Sequence, residues 1–345
     1  MSQKTIRSIA PLRLGLGGGS SDLSQFVARF GGEVLNATID KYVHASLVPH
    51  DNGKITIHSE DYGTTLEYNA HEELPYNSEL DLVCAVINRM RRDYVDRIPN
   101  CGFDIYLRSD APPGAGLGTS STVCVAILGL FKEWGKLDLD KYEIAKLAWS
   151  IEREDMKMAG GKQDQYAAVF GGFNMMYFKK NGDVLVVPLK IPRATLLELQ
   201  NNLLVIYSGN THKSGDIIKS QTPKSEEKFR WIMHIRDIAH AMVEDILAKD
   251  LENFGELMSM EWGYKKMLSD KVSTPELDNL ADIAKENGAV GVKITGAGGG
   301  GMFLIYHDKF RRQDIIDEMS VLGCERIDYS FSFKGLQTWS VNNGR

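Results

Sequence analysis

GFDIYLRSDAPPGAGLGTSSTVCVAILGLFKEW, residues 102–134, is the stretch on which the fold turns. Gly102–Leu107 reads as a strand, and the apolar run Val123–Trp134 reads as a buried helix. Between them, Ala111–Thr122 packs three glycines (Gly114, Gly116, Gly118) and four hydroxyl residues (Thr119, Ser120, Ser121, Thr122). Glycines let backbone amides approach an anion, and a helix N-terminus adds unpaired N–H groups and the positive end of its dipole. A strand, such a loop and a helix together make a phosphate cradle. The glycine followed by Lys-[Ser/Thr] of a Walker loop is missing, which excludes a lysine-based P-loop. A plain turn with a hydroxyl cap is the competing reading, and it needs neither this length nor this density of hydroxyls.

Working outward, Lys293–Gly301 (KITGAGGGG) contains GxGxxG at Gly296, Gly298 and Gly301. A dinucleotide site needs a helix after those glycines, whereas Met302–Tyr306 reads as a strand, so a glycine hairpin facing a ligand fits better. Toward the N-terminus, Pro11–Asp22 (PLRLGLGGGSSD) sets Arg13 before a glycine run and Asp22 after it. An arginine stays charged and stabilises developing negative charge, and an aspartate accepts hydrogen bonds from sugar hydroxyls. On composition alone, a β-turn beside a surface arginine describes the segment equally well. Glu152 lies near the end of an amphipathic helix over Tyr142–Met156, and Asp164 follows in the loop Gly160–Gln165. Phosphoryl transfer uses one hard carboxylate for a metal and one group to orient or deprotonate the acceptor alcohol. By residue type alone, Glu152 also reads as a solvated helix residue and Asp164 as a helix cap.

The 345 residues exceed the length at which one core stops growing, so two domains are expected, divided as 1–192 and 193–345. Short strands over Tyr42–Pro49, Lys54–His58 and Thr65–Tyr68 and a helix over Leu80–Tyr94 fill the first. Strands over Leu203–Tyr207 and Val290–Thr295 and long helices over Phe229–Ala248 and Leu251–Met267 fill the second. Lys+Arg 40 against Asp+Glu 46 gives a net charge of −6 with no block of one sign, so neither a nucleic acid nor a membrane is an expected partner. Four scattered cysteines without a CxxC pair argue against a disulfide framework or a zinc site. With no apolar signal stretch near the N-terminus, a cytoplasmic location is expected.

In their order and spacing, the segments Pro11–Asp22, Pro112–Thr122 and Lys293–Gly301 resemble the three motifs of the GHMP kinases, the superfamily of galactokinase, homoserine kinase and mevalonate kinase. The resemblance runs from Arg7 to beyond Met302. It implies an α+β fold with an N-terminal domain like ribosomal protein S5 domain 2 and a ferredoxin-like C-terminal domain, the active site lying between them. ATP and Mg2+ are implied, with Pro113, Gly114, Ala115, Gly116, Leu117, Gly118, Thr119, Ser120 and Ser121 around the triphosphate. The metal-binding serine and glutamate fall on Ser120 and Glu152; Thr122 stands where most relatives have alanine, so Ser121 remains an alternative. The catalytic aspartate falls on Asp164 and its basic partner on Arg13. Gly18, Gly19, Ser20, Asp22, Thr295, Gly296 and Gly298 would surround the acceptor.

Within the superfamily, Gly17–Asp22, Ile151–Asp155 and Gly161–Gly172 are most similar to kinases acting on D-glycero-D-manno-heptose 7-phosphate. That implies transfer of the ATP γ-phosphoryl group to the anomeric hydroxyl, giving the 1,7-bisphosphate, by a monomer or homodimer. A fucose- or galactose-like sugar or mevalonate is the alternative acceptor, and a non-catalytic sugar sensor on the same fold the remote one. A sugar phosphate calls for cations, and those near the motifs are Lys41, Lys162, His212 and Lys213.

Overall fold

The computed structural model describes residues 4–209, 214–308 and 310–342. The chain opens with strand β1 (Lys4–Gly17), helix α1 (Ser24–Phe30) and strand β2 (Gly32–His50), the two strands pairing antiparallel. A hairpin, β3 (Lys54–Ser59) and β4 (Thr64–Asn69), precedes α2 (Asp81–Asp93), β5 (Gly102–Ser109), α3 (Thr119–Gly135) and α4 (Lys141–Ser150). A π-helical turn, Ile151–Asp155, leads through a loop to α5 (Gln163–Phe170) and the hairpin of β6 (Phe173–Phe178) and β7 (Val184–Pro188). The long β2 serves two partners besides β1: Gly32–Ala37 pairs with β6, and Val43–His50 with β5.

Chain order in the second unit is α6 (Arg193–Asn202), β8 (Leu203–Tyr207), α7 (Ser214–Gln221), α8 (Glu226–Ala248), α9 (Leu251–Lys266), α10 (Pro275–Glu286), β9 (Ala289–Ile294), β10 (Met302–His307), α11 (Arg312–Val321) and β11 (Glu325–Arg326). The strands lie in the order β11-β8-β10-β9, all antiparallel. Numbered along the chain that is 4-1-3-2, the ferredoxin-like order that the resemblance implied. Alternation on the central strand shows how this sheet is buried on both faces. Met302, Leu304 and Tyr306 join the main core, which also takes in Leu14 and Leu35 of the first unit, while Phe303 and Ile305 join a second cluster with Ile315 and Met319 of α11. The two units therefore share the main apolar core, and the second cluster belongs to the second unit alone.

The last strand, β12 (Gln337–Asn342), leaves the second unit and pairs antiparallel with Lys4–Ile9 of β1. A division at residue 192 assigns these residues to the second unit; their ladder puts them in the first sheet. The strand is further tied down by Glu133 of α3, which accepts from Thr338 and Ser340.

Other departures from the sequence reading have local causes. β1 runs straight through the PLRLGLG stretch, its proline and glycines accommodated by register shifts at Pro11/Arg13 and Gly15/Gly17. The helix read as starting at Val123 starts at Thr119, so the hydroxyl residues form its first turn. Asp164 belongs to the first turn of α5, where a loop was expected. No helix among the described residues is long and apolar enough to cross a membrane.

Candidate active site

The three glycine segments meet at the junction of the two units, backbone against backbone. Met302 N donates to Ala115 O at 3.1 Å, Arg13 N to Leu117 O at 3.1 Å, and Gly15 N to Thr295 Oγ1 at 2.9 Å. A Cβ on Gly116 would lie 2.6 Å from Thr295 O, and one on Gly296 2.7 Å from Gly116 O. Both residues also hold positive φ, +82° and +79°. Glycine is needed here because the second and third loops touch through their main chains, leaving no room for side chains. The strands β9 and β10 flank the third loop antiparallel, as the hairpin reading required.

Along the seam runs a cavity of about 460 Å³ lined from both units. Arg13 reaches it from the bulge in β1, a device that re-aims a side chain out of the regular pleat. Its Nε and Nη2 both lie 2.7 Å from Asp164 Oδ1, and its Nη1 donates to Gly116 O at 2.6 Å. No described residue hydrogen-bonds Asp164 Oδ2. Gly118, the N-cap of α3, has φ +78°, and a Cβ there would sit 3.3 Å from the Asp164 carboxyl carbon. The glycine loop and the Arg13–Asp164 pair are thus in direct contact.

A second carboxylate lies deeper. Glu152 is 1% exposed, and its Oε1 accepts from Ser121 Oγ at 3.0 Å while Gln165 Nε2 bridges the two, donating to Ser121 Oγ at 3.0 Å and to Glu152 Oε2. The π-helical turn makes this possible: its wider winding, with Met156 N bonded to Ile151 O, turns Glu152 toward α3. Burial pushes the Glu152 carboxyl above the usual glutamate range, against the opposing pull of Arg153 and of the Gln165 and Ser121 hydrogen bonds. Ser120 is exposed and lines the cavity, as do Thr119 and Ser121. Hard oxygen donors from Ser120, Ser121 and Glu152 suit a magnesium ion that takes its remaining ligands from phosphates and water. Among the described residues no group of three or more His, Cys, Asp or Glu forms a self-sufficient metal cage.

The opposite wall comes from the first glycine segment and the second unit. Asp22 Oδ2 accepts from Lys162 N and Gln163 N at 2.9 and 3.0 Å, capping α5 and so positioning Asp164 one residue further on. Burial, with nearby Asp164 adding to it, pushes the Asp22 carboxyl up, and the amide bonds pull it back. Ser20 adopts φ +78° and donates to Gln221 Oε1 at 2.9 Å. Lys265 of α9 points in, 4% exposed, and donates to Gly296 O at 2.5 Å. Burial depresses its ammonium to about 8.

Gly114, Gly116, Gly118, Thr119, Ser120, Ser121, Glu152, Asp164, Arg13, Gly19, Ser20, Asp22 and Gly296 all line the cavity; Pro113, Ala115, Leu117, Gly18, Thr295 and Gly298 do not. Ala115 and Leu117 turn fully buried side chains into the core. Gly18 packs on Glu33 O and Gly298 on Val272 O, so both frame the wall. Lys162 is occupied elsewhere, donating to Gly182 O and lying over Trp149, and Lys41 is not part of the cavity. His212 and Lys213 lie outside the described residues. Lys265, Gln221 and Gln165 went unnoticed in the sequence. For Lys265 a signal existed: Phe254, Met258, Glu261 and Lys265 share one helical stripe, and charges on an otherwise apolar stripe are unusual.

The GHMP kinases N terminal domain matches residues 81–172 and the GHMP kinases C terminal domain residues 242–321. A D-glycero-alpha-D-manno-heptose 7-phosphate kinase of Campylobacter jejuni subsp. jejuni serotype O:2 is 37% identical over 340 residues, spanning 98% of this chain and 100% of that protein. A mevalonate kinase of Pyrococcus horikoshii is 29% identical over 287 residues, 79% of this chain and 81% of that one. Among solved structures, a D-glycero-D-manno-heptose 1-phosphate kinase from Bacteriodes thetaiotaomicron superposes with a TM-score of 0.83 at 34% identity, covering 97% of this chain and 99% of that one. Matched in both halves and along nearly its whole length, the chain belongs to the GHMP kinases and is a small-molecule phosphotransferase.

Proposed function

We propose that this kinase transfers the γ-phosphoryl group of ATP to the anomeric hydroxyl of D-glycero-D-manno-heptose 7-phosphate, releasing ADP and the 1,7-bisphosphate. The observation that carries the reading is the convergence, in one cavity, of the α3 loop, the Glu152–Ser121 pair and an aspartate clamped by arginine. The heptose acceptor is supported by the 37% identity to the Campylobacter enzyme over 98% of this chain.

In this reading the amides of Gly114–Gly118 and the α3 N-terminus hold the ATP phosphates. Magnesium, when bound by Ser120 and Glu152, supplies charge neutralisation of the phosphate oxygens. Arg13 fixes Asp164 through Oδ1, which leaves Oδ2 to accept the hydroxyl proton as the new oxygen–phosphorus bond forms. The Arg13 guanidinium stays charged beside the transferring group and offsets its developing negative charge. A protein of this kind is expected in the cytoplasm, with no nucleic acid or membrane partner, as a monomer or homodimer.

The test is turnover of ATP with heptose 7-phosphate, heptose, fucose, galactose and mevalonate, with the product read by phosphorus NMR. The expected product carries a new phosphorus coupled to the anomeric proton. Faster turnover of mevalonate or an unphosphorylated sugar, or a new phosphate at any other carbon, overturns the proposal.

A further inference from the structure

Lys265 is a buried cation with no carboxylate of its own. The charged groups facing it are each engaged elsewhere. Glu261, one turn back on α9, is bonded to Lys293 of β9, which also donates to Leu16 O; Arg13 of β1 is bonded to Asp164, and Asp22 accepts from the amides of Lys162 and Gln163. Of the three N–H donors on Lys265, only one has an acceptor among the described residues, Gly296 O. Lys265 is 4% exposed, yet it lines the cavity, its ammonium 3.4 Å from where a Cβ on Gly19 would stand. Burying a charge without a counterion is costly, and proteins retain such groups chiefly where a ligand supplies the opposite charge. At the same wall, Lys219 of α7 is exposed to the cavity and forms no ion pair with a described residue. Gln221 and Ser20 stand alongside with polar side chains.

We propose that Lys265, aided by Lys219 at the rim, binds the phosphate that the acceptor already carries and thereby makes the enzyme selective for a phosphorylated sugar. The proposal deepens the functional reading above and rests on it. The α3 loop, whose helix N-terminus suits the triphosphate, packs on Gly296 through Gly116 but forms no hydrogen bond with Lys265. Asp164 and Lys265 line the same cavity without bonding to each other, and Asp22, also on its wall, is coupled electrostatically to both. A sugar held in that cavity with its anomeric end at Asp164 would turn its phosphate toward Lys265. A dianion there also raises the proton affinity of the ammonium that burial has lowered, so protonation of Lys265 and binding of the phosphate reinforce each other.

The experiment compares heptose 7-phosphate with the dephosphorylated heptose as acceptors for the wild type, Lys265→Met and Lys219→Met. Lys265→Met is expected to raise KM for the phosphorylated acceptor by about 10- to 100-fold, the loss typical of a hydrogen bond to a charged group, with KM for ATP and for the unphosphorylated sugar unchanged. Lys219→Met should raise the same KM by only a few-fold, in a salt-dependent manner. The wild-type KM for the phosphorylated acceptor should climb above pH 8, a rise absent from Lys265→Met. Lys265→Gln, which keeps a donor toward Gly296, should behave like the methionine variant and separates lost charge from disturbed packing. Equal losses on both acceptors, or a loss confined to ATP, overturn the assignment of Lys265 while leaving the heptose phosphate reading standing. A wild type indifferent to the acceptor's phosphate overturns that reading and this proposal together.

Discussion

Asp164 presents one oxygen to Arg13 and leaves the other uncommitted, and the two kinds of substitution separate these tasks. Asp164→Asn keeps the shape but cannot accept a proton, so the single-turnover rate at saturating substrates is expected to fall by ~10²–10⁴ while both substrates still bind. Arg13→Lys keeps the charge but loses the planar fork that grips Oδ1 and Gly116 O together, and a smaller loss is expected. A near-normal chemical rate in Asp164→Asn reduces the aspartate to a scaffold residue. Lys265 supports a prediction about stability, and its sign follows from the direction of its shift. The folded protein releases this proton near pH 8 and the unfolded chain near 10.5, so the unfolded state binds more protons between those values and stability rises with pH across that window. Below pH 8 the full cost of the buried charge remains. Lys265→Met should therefore be more stable than the wild type at pH 7, by on the order of 3 kcal/mol, with the gain vanishing toward pH 10.5 in urea melts. A constant difference across that range would mean that the lysine is compensated in the folded state. Arg13, Glu152 and Asp164 were legible in the sequence because each stands at a fixed place beside a glycine motif. The stripe on α9 marked Lys265 as a buried charge but not as a cavity residue, since its partner segments lie far away in the chain and only the tertiary fold brings them beside it.

At the scale of elements, the hydroxyl run and the glycines announced the phosphate loop because local chemistry alone requires them. The π-helical turn left no such mark: Ile151–Asp155 has ordinary helix-forming residues, and its extra winding answers to packing against α3. Its purpose is to turn Glu152 onto Ser121, and Glu152→Gln should raise the magnesium concentration for half-maximal rate roughly tenfold with little change in sugar binding. An unchanged magnesium requirement would remove the metal from this carboxylate. Gly116 was read as serving the ligand alone, whereas a Cβ there collides with Thr295 O. Gly116→Ala is accordingly expected to cost ~1–3 kcal/mol of stability as well as ATP affinity, measured by calorimetry and urea melts. In the first unit, β1 went unread across Pro11–Gly17, where a β-turn beside a surface arginine described the composition equally well; bulges accommodate its proline and glycines within the strand.

Across the whole molecule, length led to the expectation of two domains and the resemblance to the GHMP kinases implied their α+β folds, while neither pointed to the return of the last strand to the first sheet. Nothing in QTWSVN differs from any short strand, and its partner at Lys4–Ile9 is more than 300 residues away. That pairing has a consequence for how the protein comes to exist. While the chain is being synthesised, the outer edge of β1 stays open until residues 337–342 emerge, so the ATP-binding half cannot close its sheet as an independent early product. A contact of such high sequence separation forms late, and an unpaired strand edge is where a nascent chain associates with others. Each newborn molecule thus carries an exposed, templating edge until the chain has been made past residue 342.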